Sequence, residues 1–147
     1  MKTKFLTVLA VLFFGSFLGL KAQDIIGQWK TIDDETNKPK SIVEIYKGPD
    51  GKYYGKIVKL FREPGEDPNP VCDECKGNKK NKPIKGMIIL TGLEKVGNND
   101  WDNGEILDPG NGEVYDCKMW IEDGKLQVRG YLGWSLFGRS QTWLPYK

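Results

Sequence analysis

Histidine is absent from all 147 residues. That excludes a Ser-His-Asp triad, a Cys-His pair, a His-ligated metal or haem, and a histidine pH switch. Alanine is almost absent as well: Ala10 and Ala22 are the only two, and none follows Gln23. Alanine is the best helix former, so its scarcity argues against a helix-rich domain. Phosphate-cradling glycine loops, a G-x-S-x-G elbow and metalloprotease spacings do not occur. Ser135, within Gly133-Trp134-Ser135-Leu136-Phe137, fits no elbow and has no histidine base. A basic surplus is missing once the first 22 residues are set aside. The formal charge is +2, but Lys2, Lys4 and Lys21 lie there and no acid does. Residues 23–147 carry 19 basic and 20 acidic side chains, a net charge of −1. Nucleic acid is therefore not an expected partner.

One long apolar run is present, Phe5 to Leu20, interrupted only by Thr7, Gly15, Ser16 and Gly19. Two lysines precede it, and Ala22 supplies a small residue before a cut. These are the parts of a secretory signal peptide, so residues 1–22 are expected to be removed and 23–147 to form one domain. The run is about 16 residues, short of the roughly 20 that span a bilayer. No stable membrane insertion is expected after cleavage, and no cysteine near the cut offers a lipid attachment point. The protein is expected in the periplasm or outside the cell.

Three cysteines remain in an exported chain, where cysteines tend to pair. Cys72-Asp73-Glu74-Cys75 lies in a stretch rich in Pro, Gly, Asn and Lys from Arg62 to Pro83, which reads as a long loop. A local disulfide between Cys72 and Cys75 would tighten it. A thiol-exchange pair and a zinc half-site are the other readings of C-x-x-C. Two acids between the cysteines disfavour the thiolate, and a second ligand pair for zinc is missing. No metal or cofactor is assigned. Cys117 alternates with Tyr115, Met119 and Ile121 on the more apolar face of a strand, which predicts a small buried core residue.

Alternation and β-forming residues dominate the remainder. Strands are predicted at Ile26–Ile32, Ser41–Lys47, Lys52–Phe61, Ile84–Leu90, Gly104–Leu107, Glu113–Glu122, Lys125–Leu132 and Arg139–Leu144. Asp50-Gly51, Asn103-Gly104, Asn111-Gly112 and Asp123-Gly124 supply tight-turn signals, because Asn, Asp and Gly accept positive φ. Any helix would be short, within 62–83 or 91–101. Eight strands with hairpin connections predict one antiparallel up-and-down barrel, which removes sheet edges by closing on itself. A two-sheet sandwich is the alternative.

Gly27-Gln28-Trp29 opens the first strand, and a G-x-W at the start of an antiparallel barrel resembles the lipocalin-like, or calycin, superfamily. That resemblance implies that Trp29 closes one end and stacks against a basic residue of the last strand, here Arg139. A longer set of motifs covers most of residues 23–147: Gly27-x-Trp29, Pro39–Tyr46, Asp50-Gly51 with Gly55-Lys56-Ile57, Gly104-x-Ile106-Leu107-Asp108-Pro109, Gly112-x-x-Tyr115-x-Cys117-Lys118, and Arg129-Gly130-Tyr131-x-Gly133 with Gly138-Arg139 and Trp143. Together they resemble the exported bacterial family catalogued as domain of unknown function 2147. The resemblance implies a small β-barrel and export in a Gram-negative bacterium, and brings no activity with it. Gly27, Trp29, Arg139 and Trp143 are the residues it marks as structural.

Three functional classes follow. In the first, the barrel holds a small, mainly apolar ligand between Trp29, Tyr54, Arg129, Tyr131 and Trp134, with aromatic walls and a guanidinium to orient a carboxylate or phosphate. In the second, the barrel is filled and an outer patch meets an envelope partner, for example the loop lysines Lys76, Lys79, Lys80 and Lys82. In the third, carboxylates near Asp108 (Glu113, Asp116, Asp102 and Glu105) do hydrolytic acid–base work. Asp108-Pro109 also reads as ordinary turn chemistry. No catalytic residue is assigned. The first class is preferred.

Overall fold

The computed structural model describes residues 23–133 and 138–147. The expected signal segment, and with it Trp134, Ser135 and Phe137, lies outside the described residues. Eight strands are present: β1 Gly27–Ile32, β2 Pro39–Lys47, β3 Tyr53–Leu60, β4 Ile88–Lys95, β5 Asp100–Asp108, β6 Glu113–Glu122, β7 Lys125–Tyr131 and β8 Gly138–Tyr146. Each runs antiparallel to the next, and β8 returns to β1, so the sheet is a closed barrel rather than a sandwich. Period-2 alternation sorts the side chains: Tyr53, Gly55 and Ile57 of β3 are buried, while Tyr54 and Lys56 between them are partly exposed. No helix among the described residues is long and apolar enough to cross a membrane.

The ladders are unequal. β6 and β7 pair over seven residues from Asp116↔Tyr131 to Glu122↔Lys125. Their turn is Asp123-Gly124, with φ 51° and 71°, the mirror-image turn that matches strand twist. β1 and β8 pair at three positions only, Gln28↔Tyr146, Trp29↔Pro145 and Lys30↔Leu144, and Pro145 has no N–H to give.

Two expectations change. Asn103-Gly104 is not a hairpin turn; it lies inside β5, where Asn103 has φ 61° and the register jumps between Trp101 and Gly104. The positive-φ signal there marks a bulge. The fourth strand starts at Ile88 instead of Ile84 and runs through Gly92 to Lys95. Residues 84–87 belong to the long loop, clipped to β3 by Gly86 N–H to Ile57 O at 2.6 Å and Ile57 N–H to Met87 O at 3.0 Å. A 3-10 turn at Gly77–Lys79 falls in the first expected helical window. The second window holds the end of β4, the β4–β5 turn and the start of β5.

The two ends of the barrel differ. The end that carries the β2–β3, β4–β5 and β6–β7 turns is filled by Ile25, Trp29, Ile45, Tyr53, Leu93, Trp101, Met119 and Leu126, all buried. Burying each such side chain contributes roughly 2 kcal/mol. Trp29 closes this end, its Nε1–H donating to the Ile25 carbonyl at 2.8 Å, and the Tyr53 ring meets Trp101 edge-on at 6.1 Å. The opposite end, beside the β1–β2, β3–β4 and β5–β6 connections, is hollow.

Candidate functional site: the open end of the barrel

The hollow end encloses a cavity of about 540 Å³, within the range of small-molecule pockets. Its walls include Ile57, Ile89, Leu107, Val128 and Trp143. By register Trp143 lies furthest toward the filled end, opposite Leu126. Several polar side chains share this wall, and hydrogen bonds tie them to the protein. Thr31 and Ser41, both buried, share a hydroxyl hydrogen bond of 2.7 Å.

β8 sends Arg139, Gln141 and Trp143 to the cavity in alternate positions. They are linked by hydrogen bonds that climb from floor to rim. Trp143 Nε1–H donates to Gln141 Oε1 at 3.3 Å, and Gln141 Nε2–H donates to Asp34 Oδ2 at 3.0 Å. Arg139 Nε–H donates to the same oxygen at 2.6 Å, and its Nη2 also reaches it. Lys40 and Arg62 line the mouth as well. Arg62 donates to the Asp67 carbonyl at 2.9 Å and lies 3.5 Å from Glu66. Lys40 stands 3.9 Å from Asp33. The Asp33 carboxyl is held below its ordinary pKa chiefly by the Thr36 backbone N–H and then its hydroxyl.

The loop between β3 and β4 forms one side of the mouth and contributes Pro70 and Ile84 to the cavity wall. Cys72 and Cys75 are joined in a disulfide and both are buried. Neither is therefore a free thiolate for exchange or for zinc. The Cys72 sulfur lies 3.4 Å from the Pro109 carbonyl oxygen at the β5–β6 turn. In that turn Gly112 has φ +70°, and a Cβ there would stand 2.0 Å from the Glu74 carbonyl oxygen. Lys76 pairs with Glu113 at 3.1 Å, Lys79 donates to the Ile88 carbonyl at 2.8 Å, and Lys80 donates to the Asp73 carbonyl. Two of the four loop lysines thus tie the loop to strands, and a third, Lys80, bonds within the loop.

The residues expected to surround a ligand are dispersed. Tyr131 touches the rim of the cavity, but strand alternation puts its side chain on the outer face of β7 with Gln127 and Arg129. Partial burial first, then the Asp102 and Asp116 carboxylates on its outer side, raise its phenol pKa. Trp29 is at the filled end. Tyr54 faces outward, stacked on Tyr46 at 6.0 Å and donating to Asp50 at 2.6 Å. Arg129 shares the outer face of β7 with Gln127, because Leu126 and Val128 take the inner one; its Nη1 donates to the Ser140 hydroxyl at 3.1 Å. Trp134 lies outside the described residues. The expected stack of Arg139 on Trp29 is not formed. Trp29 pairs with Pro145, six residues further along β8, so about 20 Å of strand separates them. Arg139 is a residue of the mouth. The alternation Arg139, Gln141, Trp143 was the sequence signal for it.

The carboxylates near Asp108 do not gather in the cavity. Asp108 lines it, but its Oδ1 accepts the Gly110 N–H at 2.8 Å; Glu113 is paired with Lys76; Glu105 and Asp116 are cross-strand neighbours exposed on the outer face. Cys117 is fully buried, and that burial, with a smaller push from Asp102, raises its pKa far above the usual thiol range. It is a core residue and no nucleophile at neutral pH.

Residues 27–144 match the family described as "Uncharacterized protein conserved in bacteria (DUF2147)". The chain belongs to this family. No curated protein matches it in sequence. Among solved structures, the DUF2147 barrel is similar to protein HP1028 from the human pathogen Helicobacter pylori, which is described as belonging to the lipocalin family. The TM-score is 0.73 at 20% sequence identity, with 84% of each chain covered. At that identity the likeness is one of fold.

Proposed function

We propose that this protein is an exported binding module that carries a small, mainly apolar ligand in the open half of its barrel. The cavity of about 540 Å³ carries the reading, since it joins apolar walls to a few fixed polar groups at one accessible end. The lipocalin-like barrel supports it, as does the hollow end, which a filled scaffold would lack. Export rests on the basic start and apolar run of residues 1–22 and agrees with the Cys72–Cys75 disulfide. The ligand sits above Trp143, against Val128 and Ile89.

Native mass spectrometry on the protein taken from its own envelope fraction tests this. A discrete extra mass that leaves on denaturation, on a chain that begins at Gln23, is the expected result. A bare chain that also takes up no N-phenyl-1-naphthylamine, a neutral apolar probe, would overturn the binding reading.

A further inference from the structure

The mouth of the cavity shows which end of a ligand belongs there. Arg139 and Gln141 are two residues apart on β8 and point the same way, directly above Trp143. Their N–H groups converge on a single carboxylate oxygen, Asp34 Oδ2. That carboxylate does not come from the barrel wall. It comes from the β1–β2 connection, residues 33–38, which reaches over the rim. From the reading of the cavity as a ligand site, we propose that the Arg139–Gln141 corner is a carboxylate receptor for the headgroup of a single-chain amphiphile, and that Asp34 occupies it until the ligand arrives.

The apolar floor and the polar corner are continuous. From Trp143 to Arg139 the strand rises about 13 Å, at about 3.3 Å per residue, so one chain can fill the cavity while its head meets the guanidinium. A guanidinium beside an amide directs several N–H donors at one point, and charge-assisted donors of this kind suit a carboxylate oxygen. Asp34 shows that the corner accepts one. The pair is exchangeable: the Arg139 and Asp34 side chains are 63% and 37% exposed, and such surface pairs hold weakly against a competitor. Of the other charged residues at the mouth, Lys40 and Arg62 each stand beside a carboxylate of their own, Asp33 and Glu66, and Asp108 has one oxygen committed to its own turn, so recognition rests on the Arg139–Gln141 corner itself.

The test compares dodecanoate, dodecan-1-ol and dodecyl phosphate as displacers of N-phenyl-1-naphthylamine, with far-UV circular dichroism to confirm folding of each variant. Dodecanoate should bind about tenfold tighter than the alcohol, the worth of one good charge-assisted hydrogen-bonded pair. Arg139→Gln should bring that ratio close to one. Asp34→Ala should strengthen dodecanoate several-fold, because the internal competitor is gone; this loop variant decides the matter even if Arg139→Gln folds poorly. Equal affinity for acid and alcohol in the unmodified protein, or weaker dodecanoate binding in Asp34→Ala, overturns the receptor while leaving the apolar carrier intact. Tighter binding of dodecyl phosphate overturns the assignment to carboxylates. Failure of all three displacers and of the probe itself overturns the carrier reading, and the receptor with it.

Discussion

Gly112 lies directly beneath the carbonyl oxygen of Glu74, so close that a methyl group on it would stand 2.0 Å from that oxygen. The contact joins the β5–β6 turn to the middle of the C-x-x-C loop, and it explains why both half-cystines are buried although their loop is otherwise polar. Two demands meet at one residue: φ is +70°, and there is no room for a Cβ.

Gly112→Ala should therefore cost about 2–3 kcal/mol, combining backbone strain with a backbone clash that cannot rotate away. Urea denaturation gives the number. The loss should be accompanied by faster hydrogen exchange in residues 70–84, where the loop is docked. A variant as stable as the parent with unchanged exchange would show that the loop does not rest on this turn.

Cys117 makes stability fall in alkali. Its thiol is protonated in the folded barrel far above the pH at which it ionises in the unfolded chain, about 8.5. Below that pH both states hold the proton and the burial carries no penalty. Above it the unfolded chain releases a proton that the folded one keeps, so stability drops by up to about 1.4 kcal/mol per pH unit. Cys117→Ala should lose some stability at pH 7 through the vacated volume and should flatten the decline between pH 8.5 and 10. Parallel declines in the two proteins would place the alkaline sensitivity elsewhere.

Val128 faces the cavity from β7 and is buried. Val128→Trp should fill the hollow with the added ring and weaken N-phenyl-1-naphthylamine binding by more than about tenfold, because apolar affinity scales with the area the ligand can bury. The barrel should still fold, since the ring enters empty space and displaces no packed neighbour. Unaltered probe binding in a folded Val128→Trp protein would locate the probe outside the barrel.

The barrel was legible because strand alternation is a local signal. Tyr53, Gly55 and Ile57 alternate with Tyr54 and Lys56, and the structure places them on opposite faces as that spacing requires. Asn103-Gly104 shows the limit of local reading: a residue that tolerates positive φ serves a bulge as well as a turn, and only the pairing with β6 tells which. Ile84 looked like the start of a strand, but it sits in the loop and its side chain lines the cavity mouth. The site was harder to read. Trp29 and Arg139 could be set together only by ignoring that β8 meets β1 at its far end. Which half of the barrel is hollow depends on how side chains from eight strands add up, and no window of sequence holds that sum. Asp34 carries no local signature at all, since its role comes from a side chain 105 positions away.

The junction of β1 with β8 has a further consequence. It has only three paired positions, as few as β3–β4, it contains a proline, and it joins residues more than a hundred positions apart. Every other strand pair joins neighbours in sequence, β3 and β4 across the long loop, whereas this one must wait until the whole chain has come round. The barrel therefore folds as an open ribbon that is fastened last, and it should come undone where it was fastened. Amides of Gln28, Lys30 and Tyr146 would lose their protection before those of the β6–β7 hairpin, giving a cylinder whose weakest line runs along its length beside Trp29, the residue that stoppers its closed end.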